Sequence, residues 1–120
     1  MTKTSPSSNS KDNEFRNAAA RAQYLYLSTR GRKSNRPREI EIWFTYREPC
    51  FYVIAEYATS QWLQNLRADP TVQLRIAGKS FAACARIVSP EAEAVLNQAV
   101  QDLSREKYGW GDGLVVELIP

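Results

Sequence analysis

The sequence predicts an α+β fold, a small antiparallel β-barrel of about six strands with two or three covering helices. Apolar residues recur with period two in several short runs, pairs of these runs are joined by turns that read as hairpins, and only three stretches carry helical spacing. At 120 residues the chain can close one core without metal or disulfide staples. Hydrophobic residues at 43% and charged residues at 24% exclude a disordered or membrane chain on composition.

Residues 1–13 are rich in Ser, Thr, Asn and Lys without an apolar period, so they read as a disordered tail ahead of one domain over 14–120. Asp12 or Asn13 can cap a short helix carrying Phe15, Ala18, Ala19 and Ala22 on one face. Tyr24 to Thr29 is a β-type run, followed by a polar turn over Arg30 to Arg38. Glu39 to Tyr46 alternates cleanly, with Ile40, Ile42, Phe44 and Tyr46 on one face and Glu39, Glu41, Trp43 and Thr45 on the other. The apolar run Phe51 to Tyr57 follows across a Glu48-Pro49 turn and completes a hairpin.

Ser60 can cap a helix that carries Trp62, Leu63 and Leu66 and stops at Asp69-Pro70. Val72 to Ile76 and Phe81 to Val88 form a second hairpin around Ala77-Gly78-Lys79. Ser89-Pro90-Glu91 reads as a helix start, before a stripe of Ala92, Leu96, Ala99, Val100 and Leu103 that runs to about Lys107. Three glycines make Tyr108 to Gly113 a loop, and Leu114 to Ile119 is the last strand.

The chemistry open to this chain is narrow. It has no histidine, which removes Ser-His and Cys-His nucleophiles and the commonest zinc sites, so no metal ligands are assigned. Cys50 and Cys84 follow no metal spacing and read as reduced core residues. No apolar run approaches the roughly 20 residues that span a bilayer, and the polar N-terminus lacks the apolar centre of a secretory signal. The cytoplasm is the expected compartment.

A net charge of +3 does not by itself demand an anionic partner, but its distribution is uneven. Arg30 to Arg38 holds five cations and no acid. Guanidinium forks, an ammonium, a hydroxyl and backbone N–H groups of a glycine turn are what a phosphate site requires. The same segment would also serve as a solvated basic hairpin or follow a nucleic-acid backbone. Trp43, Tyr57, Trp62, Tyr108 and Trp110 flank the barrel, and aromatic walls beside a basic turn suit a flat ring with a phosphate tail. Trp62, spaced with Leu63 and Leu66, fits the core better than a ligand wall, which leaves Trp43 the stronger site candidate. Glu56 ends an apolar run and must reach solvent or a partner such as Arg38, so a structural ion pair is expected of it.

The order of Gly31-Arg32-Lys33-Ser34 with Pro37-Arg38, a strand hairpin, the Trp62-x-x-Asn65-Leu66-x-x-x-Pro70 helix end and a late tyrosine loop resembles the deazaflavin (coenzyme F-420)-dependent nitroreductase and quinone reductase family. The resemblance runs from about Tyr24 to the C-terminus. It implies the split β-barrel of pyridoxamine-phosphate-oxidase-like, FMN-binding proteins and hydride transfer from reduced F-420 to a quinone, nitro or other activated acceptor. It also implies cofactor contacts from Arg32, Lys33, Ser34 and Arg38 in the turn, and from Ile40, Glu41, Trp43, Ile54, Ala55 and Glu56 along the ring. Tyr57, Trp62, Tyr108 and Trp110 are then the substrate-pocket aromatics, with Tyr108 the candidate to orient or protonate the acceptor. Asn35 stands where the family usually has glycine, and Asn tolerates left-handed backbone. An FMN-dependent enzyme and a non-catalytic flavin or deazaflavin carrier remain the alternatives, with a small-molecule substrate rather than nucleic acid as partner. Split barrels of this type often pair across the barrel wall, so a homodimer is carried as an expectation.

Overall fold

The computed structural model describes residues 7–120, with side chains from residue 13 onward. The chain runs through α1 (Ser7–Arg21), β1 (Leu25–Arg30), β2 (Pro37–Ile42), β3 (Thr45–Arg47), β4 (Cys50–Ala55), α2 (Gln61–Ala68), β5 (Thr71–Ile76), β6 (Lys79–Ile87), α3 (Ala94–Tyr108) and β7 (Leu114–Ile119). All strand pairs are antiparallel, and the sheet order is β2-β1-β5-β6-β7-β4-β3. The two edge strands are therefore neighbours in sequence, separated by Trp43 and Phe44 alone. Such a link reaches roughly 10 Å at most. The sheet has to curl until its edges meet, which makes it a barrel split along one seam.

The inner face is the core. Val72, Leu74 and Ile76 alternate with exposed Thr71, Gln73 and Arg75 along β5, and Leu25, Leu27, Val53, Val116 and Leu118 meet them inside. Helix α2 adds Leu63 and Leu66, and α1 adds Ala19 with Phe15 packed edge-on to Phe81. Helix α3 lies outside, where Val100 and Leu96 cover Tyr52, Ile54 and Val115. Covering on both faces explains why β4 is apolar almost without alternation.

Four expectations are corrected. The strand expected over Glu39 to Tyr46 is two strands, because at the seam Phe44 turns into the core at 1% exposure while its neighbour Thr45 is also buried. This raises the strand count to seven. Helix α1 starts at Ser7 rather than at an Asp12 or Asn13 cap; once its apolar face is docked, each added residue gains a backbone hydrogen bond, so polar residues extend it. Residues 1–6 of the expected tail lie outside the described residues. Ser89-Pro90-Glu91 caps a turn ahead of α3 instead of opening it, with the Ser89 hydroxyl accepting from the Ala92 N–H at 3.1 Å and the Ser89 carbonyl from the Glu93 N–H at 2.9 Å. Cys50 is buried but Cys84 is exposed, since strand alternation turns its neighbours Ala83 and Ala85 inward.

Candidate functional site

The basic turn between β1 and β2 is built by its own backbone. The Gly31 N–H donates to the Arg36 carbonyl at 2.8 Å and the Asn35 N–H to the Gly31 carbonyl at 2.7 Å. Asn35 takes φ 60°, the left-handed conformation its side chain tolerates. Gly31 is needed for space, because a Cβ there would come within 3.1 Å of the Arg36 carbonyl. Two of the five cations are held by protein partners. Arg30 pairs with Asp69 at 3.2 Å and donates to the Asn35 side chain at 3.1 Å. Arg32 donates its backbone N–H and its guanidinium to the Asn65 carbonyl oxygen at 3.2 and 2.8 Å. Lys33 and Arg38 form no ion pair among the described residues and line, with Arg32, Ser34, Trp62 and Asn65, a cleft of about 610 Å³.

A second cleft of about 520 Å³ opens at the seam. Trp43, Ile54 and Trp110 wall it, and Glu41, Thr45, Tyr52, Glu56 and Ser104 supply its polar groups. The Trp43 indole, 48% exposed, stacks on the Tyr108 ring with centroids 4.4 Å apart and planes 1° from parallel. Below the stack, the Phe44 N–H donates to the Tyr108 hydroxyl at 3.0 Å, and that hydroxyl lies 2.8 Å from the Phe44 and Gln23 carbonyls, either of which accepts its proton. Lys107 donates to the same Phe44 carbonyl at 3.0 Å and sits 4.0 Å over the Phe44 ring. Burial pulls the Lys107 ammonium below its ordinary pKa and pushes the Tyr108 phenol above its own. The helix end thus satisfies the Phe44 backbone groups at the point where the ladder of β2 stops and that of β3 has not begun. Strand β2 serves both clefts, Ile40 facing the basic one and Ile42 the apolar one, so a ligand with an anionic tail and a flat ring fits along a single strand.

A family model described as F-420H(2)-dependent quinone reductase matches residues 7–111. The chain belongs to this family. It is an F-420-dependent reductase, and the deazaflavin F-420 is its cofactor. No curated protein matches the sequence. Among solved structures it is similar to a reductase dependent on reduced F-420, FDR-A, at 18% identity over 82% of this chain and 94% of that one, TM-score 0.64. It is similar to HutZ, the heme storage protein from Vibrio cholerae, at 20% identity over 92% and 88% of the two chains, TM-score 0.70. A domain-swapped dimer matches at 17% identity over 97% of this chain and all of that one, TM-score 0.65. Proteins with such different ligands share the split barrel, so the fold does not choose the ligand here; the family does.

The reductase brings most of the expected site residues together. Arg32, Lys33, Ser34, Arg38 and Ile40 line the basic cleft, and Glu41, Trp43, Ile54, Glu56 and Trp110 the seam cleft. The Glu41 carboxylate also accepts from the Tyr26 hydroxyl at 3.2 Å. Five readings are corrected. Ala55 is 2% exposed and packed in the core, because alternation along β4 sends it inward between Ile54 and Glu56. Tyr57 is 64% exposed and lines neither cleft. Trp62 sits against the core and in the basic cleft, away from the seam. Glu56 makes no ion pair with Arg38 or any other cation among the described residues, because β4 places it on the seam cleft. Tyr108 lines neither cleft, and its hydroxyl is taken up by backbone.

Asn65, which the sequence offers only as part of the helix-end motif, holds the basic turn in place. Its amide donates to the buried Thr29 hydroxyl at 3.2 Å while its carbonyl oxygen holds Arg32, so one side chain fixes the turn to α2. The available signal was an amide on the buried face of α2 beside Leu63 and Leu66. Asn65→Leu keeps the shape and strands those partners. It is expected to cost about 1–3 kcal/mol in denaturant unfolding and to weaken F-420 binding by leaving Arg32 unpositioned.

Proposed function

We propose that this reductase, acting in the cytoplasm, transfers a hydride from reduced F-420 to a quinone, a nitro compound or a similarly activated acceptor. The observation that supports the reading is the continuity of a cationic cleft and an aromatic-walled cleft along β2. When bound, F-420 supplies the hydride. Lys33, Arg38, Arg32 and Ser34 would hold its phosphate and acidic tail. Trp43 and Ile54 would flank the ring and exclude water, and Trp110 would meet the acceptor on the α3 side. The acceptor gains two electrons with the hydride and takes its proton from solvent, which reaches the open cleft beside the exposed Glu56 carboxylate. Two free thiols fit a reducing compartment.

Titration of the purified protein with oxidised F-420 and, separately, with FMN, followed by ligand fluorescence, tests the reading. Tight binding of F-420 with weaker binding of FMN is expected, because the basic turn offers more cations than one phosphate uses. Oxidation of reduced F-420 in a panel of quinones and nitroaromatics then identifies the acceptor; absence of binding would sink the proposal. The likeness to a domain-swapped dimer suggests a homodimer for this chain too, and a sedimentation mass near 27 kDa, twice 13.6 kDa, is the expected result.

A further inference from the structure

We infer that the Thr45 hydroxyl is a specificity-determining contact to the polar edge of the ring bound in the seam cleft, an inference that rests on the cofactor placement proposed above. Thr45 opens β3 and pairs in register with Tyr52 of β4. Directly opposed residues in an antiparallel pair point to the same face of the sheet. Tyr52 belongs to the cluster under α3 on the outer face, and Ile54 and Glu56 follow it at alternate positions, all lining the seam cleft. Thr45 is therefore turned toward this cleft and away from the barrel interior.

Thr45 is 5% exposed, and its Oγ1 is buried without a hydrogen-bond partner in the protein. An unpaired buried hydroxyl destabilises the unliganded fold, whereas a valine of the same shape would not. The other hydroxyls lining the cleft are committed: Tyr52 donates to Glu117 Oε2 at 2.7 Å, and Ser104 donates to the Trp110 carbonyl. Thr45 is thus the one cleft hydroxyl among the described residues with both its proton and its lone pairs unused. It can donate to a ring carbonyl or accept from a ring N–H. Rotation about Cα–Cβ exchanges the hydroxyl with the methyl group, so the group can meet a ligand without movement of the strand.

The test compares the full-length parent, Thr45→Val and Thr45→Ser, measuring the Kd for oxidised F-420 by fluorescence and the thermal midpoint without cofactor. Thr45→Val is expected to bind about tenfold more weakly with a midpoint equal to or above that of the parent. Thr45→Ser, which keeps the hydroxyl, is expected to bind within about threefold of the parent. Parent-like binding by Thr45→Val, or equal losses in both variants, would overturn the inference while leaving the cofactor placement standing. A parent that does not bind F-420 would overturn both.

Discussion

Removing Lys33 and Arg38 together, by alanine at each, is expected to weaken F-420 binding by about two orders of magnitude or more. A hydrogen bond to a charged group contributes about 1.5–3 kcal/mol, or roughly tenfold to a hundredfold in Kd per side chain. These two cations line the basic cleft without a protein partner among the described residues, so their charge is available to a ligand. Folding is expected to be unaffected, since both are exposed and neither holds the turn together. Arg30→Ala is the internal control. Its guanidinium is engaged by Asp69 and Asn35, so binding within about threefold of the parent is expected despite the identical loss of charge. Loss of binding should also deepen with added salt in the parent and flatten in the double variant, because screening acts on the charges that remain. If Arg30→Ala weakened binding as much as the double variant, affinity would come from the summed charge of the turn and not from placed side chains.

The contrast between these cations marks how far the sequence could be read. The charge run over Arg30 to Arg38 is local and visible, and so is the left-handed tolerance of Asn35. Which cations are already engaged is not visible, since Arg30 meets Asp69 and Arg32 meets Asn65 across more than thirty residues of intervening chain. Strand β5 was legible because one face is buried and the other is wet, which writes period two directly into the residues. The seam was not. The alternation continues from Glu39 through Tyr46 without a glycine or proline to announce a break, and what divides the strand is the meeting of two sheet edges assembled from the whole chain. The backbone partners of Tyr108 are hidden from the sequence for the same reason. A tyrosine beside glycines near the C-terminus looks like a free pocket phenol until the fold delivers the unpaired Phe44 backbone to it.

That placement makes opposite predictions for two roles of Tyr108. As an acid for the acceptor, the phenol would be dispensable for folding, and Tyr108→Phe would lose turnover alone. As the clasp of the seam, its hydroxyl satisfies the Phe44 N–H and its ring carries Trp43, so Tyr108→Phe is expected to lose about 1–2 kcal/mol of stability with F-420 affinity near that of the parent. Tyr108→Ala removes the ring as well. It is expected to lose about 3–4 kcal/mol, or roughly 10–15 °C in the thermal midpoint, and to weaken cofactor binding as Trp43 loses its support. Burial already holds the phenol's pKa above its ordinary value, so it keeps its proton more firmly than a free tyrosine does. Thermal melts of the unliganded variants, set beside their F-420 titrations, separate the roles. A Phe variant that melts with the parent yet turns over no acceptor would restore Tyr108 to the chemistry. A Phe variant that melts early and still binds leaves it as the residue that ties β2 to β3 and holds the Trp43 wall in place.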